Sequence, residues 1–200
     1  MSHEQALVLA AGAGRRFGGR KLITPWRGRA LIEWSIAAAL DSGVDGITVV
    51  LGCDADEVKT HLPSTVQTVV CNDWAEGIAA TLRCGVASLP AATSALAVFL
   101  GDMPHVSSAL ARELLDAVKA GAPAAVASFD GTPAHPVAIG PACFPMLRSL
   151  RGDRGARSAI LSIAGIQMIK TNLAGSTFDI DVPADLSQHD SLATSAEFGA

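Results

Sequence analysis

The residues best suited to chemistry stand near the start of the chain, in Leu9-Ala10-Ala11-Gly12-Ala13-Gly14-Arg15-Arg16-Phe17-Gly18-Gly19-Arg20-Lys21. An apolar run feeds directly into four glycines and four basic residues. Glycines let backbone N–H groups approach an anion without a Cβ in the way. Arg16 and Lys21 can then neutralise triphosphate charge, Arg with a planar fork and Lys as a point charge. Two commoner phosphate loops do not fit. Gly14 to Gly19 has Walker A spacing, but Arg20 follows, and no Ser or Thr follows Lys21. A dinucleotide fingerprint needs GxGxxG, and after Gly12 and Gly14 the third glycine, Gly18, comes one residue late. The alternative is a surface loop with solvated charges. Against it, four cations crowded into seven positions repel one another unless an anion is present.

Two acidic clusters suggest what accompanies the anion. Gly101-Asp102-Met103-Pro104 ends an apolar run, which puts a carboxylate at a strand's carboxyl end. The same residues are good turn formers, so a plain turn is the other reading. Farther along, Phe178-Asp179-Ile180-Asp181-Val182-Pro183-Ala184-Asp185-Leu186 holds an Asp-x-Asp pair. Residues i and i+2 of an extended segment share a face, so Asp179 and Asp181 can point the same way. Magnesium favours carboxylate and phosphate oxygens and needs only one or two protein carboxylates. Asp185, beside Pro183, reads as a helix-start charge.

These groups must be carried by a scaffold, and the pattern along the chain supplies one. Continuous apolar runs at 6–11, 46–52, 65–71, 95–100 and 123–128 read as strands buried on both faces. Helical spacing separates them at 30–42, from an Asp54 cap to about 61, at 76–89, and from a Ser107 cap through 120. Such alternation predicts an α/β fold: one domain of three α/β/α layers around a mostly parallel, Rossmann-like sheet. Ligands in these sheets sit outside the carboxyl ends of the strands, where both motifs fall. The second half is less regular. Residues 132–136 read as a turn-rich link and 137–139 as a short strand. Helices are expected at 143–150 and 154–164, late strands at 166–171 and 177–181, and a short helix at 183–186. The domain spans 1–190, and 191–200 reads as a flexible tail.

Composition narrows the function classes. The chain has 200 residues, half of them apolar but only 4% aromatic, so Ala and Val must fill much of the interior. The net charge of −4 gives no electrostatic case for nucleic acid, which needs a basic excess. Cys53, Cys71, Cys84 and Cys143 lack CxxC spacing and read as reduced, buried thiols. No apolar stretch reaches the roughly 20 residues of a membrane span. The N-terminus lacks a basic leader, so a cytoplasmic enzyme is the expectation.

LAAGxGxRxGxxK, GDMP and DIDVPADL together resemble the motifs of the molybdenum cofactor nucleotidyltransferases, the MobA-like NTP transferases. The resemblance runs in order from Ala6 to Leu186. The LAAG form with Phe17-Gly18 looks more like the cytidylyltransferase branch than the guanylyltransferase branch. It implies a nucleotide-diphospho-sugar transferase type of fold and transfer of a nucleoside monophosphate, with CMP favoured over GMP. The acceptor would be the phosphate of a molybdopterin-type cofactor, pyrophosphate would leave, and Mg2+ would be the cofactor. A molybdoenzyme would be a further partner. It implies nucleotide binding by Leu9, Ala11, Gly12, Gly14, Arg16 and Lys21, with Lys21, Arg16 and Asp102 catalytic. Asp102 and Asp181 would hold the metal. Asn72 to Leu82 resembles the family's N-x-x-x-x-G-x-x-x-S-L segment, with Thr81 where Ser is usual, which puts Gly77 and Thr81 on the base side and Asn72 more weakly so. Gly131 to Pro136 and Leu150 to Arg157 resemble the acceptor segments G-x-P-x-H-P and L-x-G-D-x-G-A-R, implying His135, Asp153 and Arg157 there. Two rivals stand beside this: an NAD(P)H-dependent oxidoreductase of the same branch, and a non-catalytic molybdenum cofactor chaperone.

Overall fold

The apolar run ahead of the glycine loop forms β1 (His3–Ala10), a central strand whose residues alternate between two cores. In the computed structural model, which describes residues 3–151 and 155–192, the chain continues through a small hairpin, β2 (Pro25–Trp26) and β3 (Arg29–Ala30), into α1 (Leu31–Asp41). Next come β4 (Gly46–Leu51), α2 (Ala55–Lys59), β5 (Gln67–Val70) and α3 (Ile78–Ser88). β6 (Thr93–Leu100), α4 (Ser108–Lys119), β7 (Ala124–Phe129) and β8 (Thr132–Ile139) follow. The described chain closes with α5 (Phe144–Arg148), α6 (Gly155–Leu161), β9 (Gln167–Lys170) and α7 (Pro183–Leu192). Seven strands make one sheet in the order β5-β4-β1-β6-β8-β7-β9. β5, β4, β1 and β6 run parallel, and only β8 opposes its neighbours β6 and β7. The expected mostly parallel α/β architecture is thus observed.

The period of two along β1 explains the layers. Ala6, Val8 and Ala10 face one side, with Ile32 and Ile36 of α1 and Leu114 and Leu115 of α4. Leu7 and Leu9 face the other, with Leu82 and Val86 of α3, Leu147 of α5 and Ile160 of α6. Burying each such large side chain contributes about 1.5–3 kcal/mol. Small residues let the layers close: Ala6, Ala39, Ala95, Ala125 and Ala138 are fully buried. The parallel registers Leu9–Leu100, Ala10–Leu51 and Leu51–Val70 bring the ends of β1, β6, β4 and β5 to one rim.

Several expectations need correction. The link at 132–136 is strand: β8 starts at Thr132, pairs with β7, and shifts register between Val126–Val137 and Ala127–Ala134. His135 and Pro136 lie in that irregularity, because a proline has no N–H to give the ladder. Residues 177–181 form no strand. A 3-10 turn (Ala174–Thr177) leads into an extended segment instead. The helix expected at 76–89 is preceded by a separate 3-10 turn (Trp74–Glu76) and begins at Ile78, after Gly77. Ser107 caps α4, its Oγ accepting from the Leu110 N–H at 3.2 Å, whereas Asp54 precedes α2 without a side-chain cap bond. Cys71 and Cys143 are buried as expected, but Cys53 is exposed. The final helix runs on to Leu192, and the rest of the expected tail, 193–200, lies outside the described residues.

Candidate active site

The phosphate loop leaves β1 and folds on itself. Gly14 adopts φ +57°, and its carbonyl accepts from the N–H groups of Phe17 (2.9 Å) and Gly19 (3.1 Å). A Cβ at Gly14 would sit 3.0 Å from Cβ of Lys21, so the conformation and the tight return both call for glycine. The return carries Lys21 inward. Its Nζ lies 2.6 Å from Asp102 Oδ2 and 3.7 Å from Asp181 Oδ1, with only 11% of its side chain exposed. Arg16, three-quarters exposed, reaches Asp181 Oδ2 at 2.6 Å. Arg20 turns outward at φ +54° and pairs with Glu57 of α2 at 2.7 Å. The four cations of the loop therefore divide: Arg15, Arg16 and Lys21 line the cleft, and Arg20 braces the loop against α2.

Asp102 follows the end of β6. The Gly101 N–H donates to the Leu9 carbonyl at 3.0 Å, locking β6 to β1 at the point of exit. Ser35 Oγ of α1 donates to the Leu100 carbonyl at 2.8 Å and lies 3.3 Å from that of Met103. The two readings of Gly101-Asp102-Met103-Pro104 merge here, since the segment is a turn and the turn presents the carboxylate. Asp179 and Asp181 arrive from the far end of the chain. Between them Ile180 is fully buried against Trp26 and Leu31, and its N–H donates to the Asp102 carbonyl at 3.1 Å. With Ile180 turned inward, both aspartates face the cleft. Asp185 Oδ2 accepts from the N–H groups of Asp181 (2.7 Å) and Val182 (2.8 Å), closing the first turn of α7. Its helix-start role therefore also fixes the backbone that carries Asp181. Oxygens of Asp102, Asp179 and Asp181 all lie within 4.8 Å of one another. Desolvation, then the neighbouring Asp181 and Asp102 charges, raise the Asp179 carboxyl above its ordinary value.

Two cavities meet at Asp179. The first, about 400 Å³, is lined by Leu9, Ala11, Gly12, Gly14, Arg16, Lys21, Gly77 and Thr81, together with Asp102, Asp179 and Asp181. The residues expected around the nucleotide line one cleft, except Asn72, the weaker base-side candidate, which lies outside its lining. Trp74 also lines it, and the sequence pattern gave no reason to single it out. The second, about 320 Å³, is apolar and runs between β6, β8, α3 and α6. Leu9, Ile78, Leu100 and Asp179 belong to both cavities. His135 and Arg157, expected on the acceptor side, line the apolar chamber, with Ser176 and Thr177 as further polar groups. Arg157 is steadied by the Pro133 carbonyl at 3.3 Å. Burial pushes the His135 imidazole down to about 4 against the opposing pull of the Asp102 charge, so the ring is neutral at physiological pH. Asp153 lies outside the described residues.

Glu76, at the end of its 3-10 turn, pairs with Arg83 of α3 at 3.0 Å, which fits a structural charge. Among the described residues no helix is long and apolar enough to cross a membrane.

Comparison with known proteins agrees with this fold. Residues 6–166 match the model of the MobA-like NTP transferase domain. Purine catabolism protein PucB of Bacillus subtilis is 30% identical, over 90% of this chain and 92% of its own. Nicotine blue oxidoreductase of Paenarthrobacter nicotinovorans is 33% identical, over 76% and 78%. Among solved structures, the complex of Rv0371C from Mycobacterium tuberculosis with manganese superposes with a TM-score of 0.77 at 23% identity, covering 96% of this chain and 98% of that one. Matched by that family model over residues 6–166 and by PucB at 30% identity over 90% of its length, the chain belongs to the MobA-like NTP transferase family.

Proposed function

We propose that the protein transfers a nucleoside monophosphate, CMP by preference, from its triphosphate to the phosphate of a molybdopterin-type acceptor. The observation that carries this reading is the convergence of Lys21 and Arg16 on Asp102 and Asp181 in a charged cleft that meets an apolar chamber at Asp179. One cavity is charged and glycine-lined, suited to a triphosphate. The other is largely apolar, with Arg157 and Asp179 the charged groups among its described lining residues, suited to a flat acceptor body carrying an anionic group that Arg157 can meet. The CMP preference rests on the LAAG and Phe17-Gly18 form of the loop.

Three carboxylates with oxygens this close form a hard oxygen donor set, which fits a divalent cation such as Mg2+. Asp102 and Asp181 would hold it, with Asp179 beside them. When bound, Mg2+ would supply charge neutralisation to the phosphate oxygens. In the proposed reaction an acceptor phosphate oxygen attacks the α-phosphorus. The new P–O bond forms as the α–β bridging bond breaks, and pyrophosphate departs with the electron pair. The loop N–H groups and Arg16 hold the triphosphate in line. The Lys21 ammonium, mostly screened from water, offsets charge growing on the phosphates. Neutral His135 and Arg157 orient the acceptor from the chamber wall. Positioning and charge carry such phosphoryl chemistry without a protein nucleophile.

The test is pyrophosphate release across the four nucleoside triphosphates, with and without molybdopterin. Release that needs both CTP and the pterin supports the proposal, and release without the pterin refutes the acceptor. The kinship with nicotine blue oxidoreductase favours a second reading, NAD(P)H-dependent reduction. Tight NAD(P)H binding without Mg2+ would favour it over nucleotidyl transfer.

A further inference from the structure

Trp74 has no part in the mechanism above, yet it stands in the nucleotide cleft beside Gly77 and Thr81. The other two tryptophans are engaged elsewhere. Trp26 and Trp34 meet edge to face at 5.2 Å, with the Arg27 and Arg29 guanidinium groups over their rings. Trp74 is half-buried, one side resting on the core below α3 and another lining the cleft.

Its position is fixed from three directions. Its N–H donates to the Cys71 carbonyl at 3.3 Å, and its carbonyl accepts from Gly77 at 3.0 Å. Gly77, at φ +106°, turns the chain sharply into α3, so that Trp74 and Thr81 line the same cavity. The third constraint is Gly52, at the end of β4. A Cβ there would fall 2.8 Å from Trp74 Cβ and 2.4 Å from the Ala11 carbonyl oxygen. Only a residue without a side chain lets the Trp74 turn and the start of the phosphate loop stand this close. Ala11, Gly12, Trp74, Gly77 and Thr81 thus line one cleft with the phosphate loop. An aromatic side chain in that wall suits a flat ring attached to a triphosphate.

We infer that Trp74 is the stacking platform for the nucleobase, holding any of the four bases by its π face and leaving the choice among them to Thr81 and backbone groups. The inference rests on the nucleotidyl-transfer reading. Base–aromatic stacking tolerates any sequence because every base has a π face, and its loss weakens binding roughly 5- to 150-fold.

The experiment titrates the full-length protein, without acceptor, with Mg-CTP, Mg-GTP and Mg-tripolyphosphate. Calorimetry gives affinities and tryptophan fluorescence gives contact. Both nucleotides should quench fluorescence and tripolyphosphate should not. W74L keeps apolar bulk against the core but removes the π face. It should weaken both nucleotides alike, by roughly 5- to 150-fold, and leave tripolyphosphate affinity unchanged. W74F should bind both nucleotides close to wild type while losing most of the quench. Wild-type affinity in W74L, weakening of one base alone, or equal weakening of tripolyphosphate would each overturn the platform. Should W74L fail to fold, a full quench in W74F would overturn it equally. If the wild type binds none of the three probes, the nucleotidyl-transfer reading itself fails.

Discussion

The two cavities that meet at Asp179 are nearly equal in volume and opposite in character. The cleft above the phosphate loop, about 400 Å³, is walled by backbone, cations and carboxylates. The chamber behind it, about 320 Å³, is walled mainly by Leu, Ile and Val, with a neutral histidine and one arginine. Their difference separates two questions. Under the proposed transfer, charge at the cleft would bear on which bond is made, and shape and apolarity at the chamber on what receives it. Damage to the cleft should therefore appear in turnover, and damage to the chamber in the acceptor's KM.

The strongest break should be Asp102→Ala. Losing both a metal carboxylate and the 2.6 Å partner of Lys21 should lower kcat by about 10³-fold or more. Circular dichroism should stay that of the wild type, and near-normal Mg2+-dependent activity in this variant would remove Asp102 from the site. Lys21→Ala should lose about 10²–10³-fold in kcat with little change in KM for the triphosphate, if its ammonium acts on developing charge. A change confined to KM would mark a ground-state contact instead. Arg157→Ala sharpens the chamber side: steady-state kinetics should show the acceptor's KM rising about 10-fold or more, the value for one charge-assisted hydrogen bond, at unchanged triphosphate KM. Equal effects on both substrates would erase the proposed division of labour.

His135 provides a pH test. Its folded value, about 4, lies below the ordinary 6.5, so the unfolded chain binds more protons between the two. Stability should be complete above about 6.5, fall as pH drops through that window, and level off near 4. Thermal melts of His135→Gln should show a shallower decline over that range, and an unchanged slope would locate the sensitivity elsewhere. Arg20→Ala should do least, because its pair with Glu57 is exposed and screened by solvent. A kcat loss comparable to that of Lys21→Ala would show that Arg20 reaches the nucleotide.

The sequence was legible where the physics was local. β1, β4 and β6 are buried on both faces, and that writes itself as continuous apolar runs. The glycine loop and Asp102 were readable because each sits where an apolar run stops, and Asp179 and Asp181 because of their i, i+2 spacing. Asp179 and Asp181 were expected to share a face, and they do, but as an extended segment pinned by Ile180 rather than a strand. Of β8 only the end, 137–139, was legible, because Pro133 and Pro136 argue against the strand that tertiary pairing nevertheless imposes before it. The β2–β3 hairpin was missed because two residues a side carry no period. Trp74 escaped notice because its place depends on what Gly52 leaves room for, at the end of the neighbouring strand β4 and 22 positions earlier in the chain. Such long-range complementarity has no local pattern to read.

The partition between the cavities is thin, consisting of Leu9, Ile78, Leu100 and the Asp179 carboxylate. Most of the chamber's remaining wall comes from β8, α6 and the turn before Asp179, segments that contribute little to the cleft. Heritable change can then fall on one compartment at a time. A lineage exchanging the tenants of the chamber keeps its reactive seam intact, and a family built this way can diversify its acceptors while conserving one chemistry.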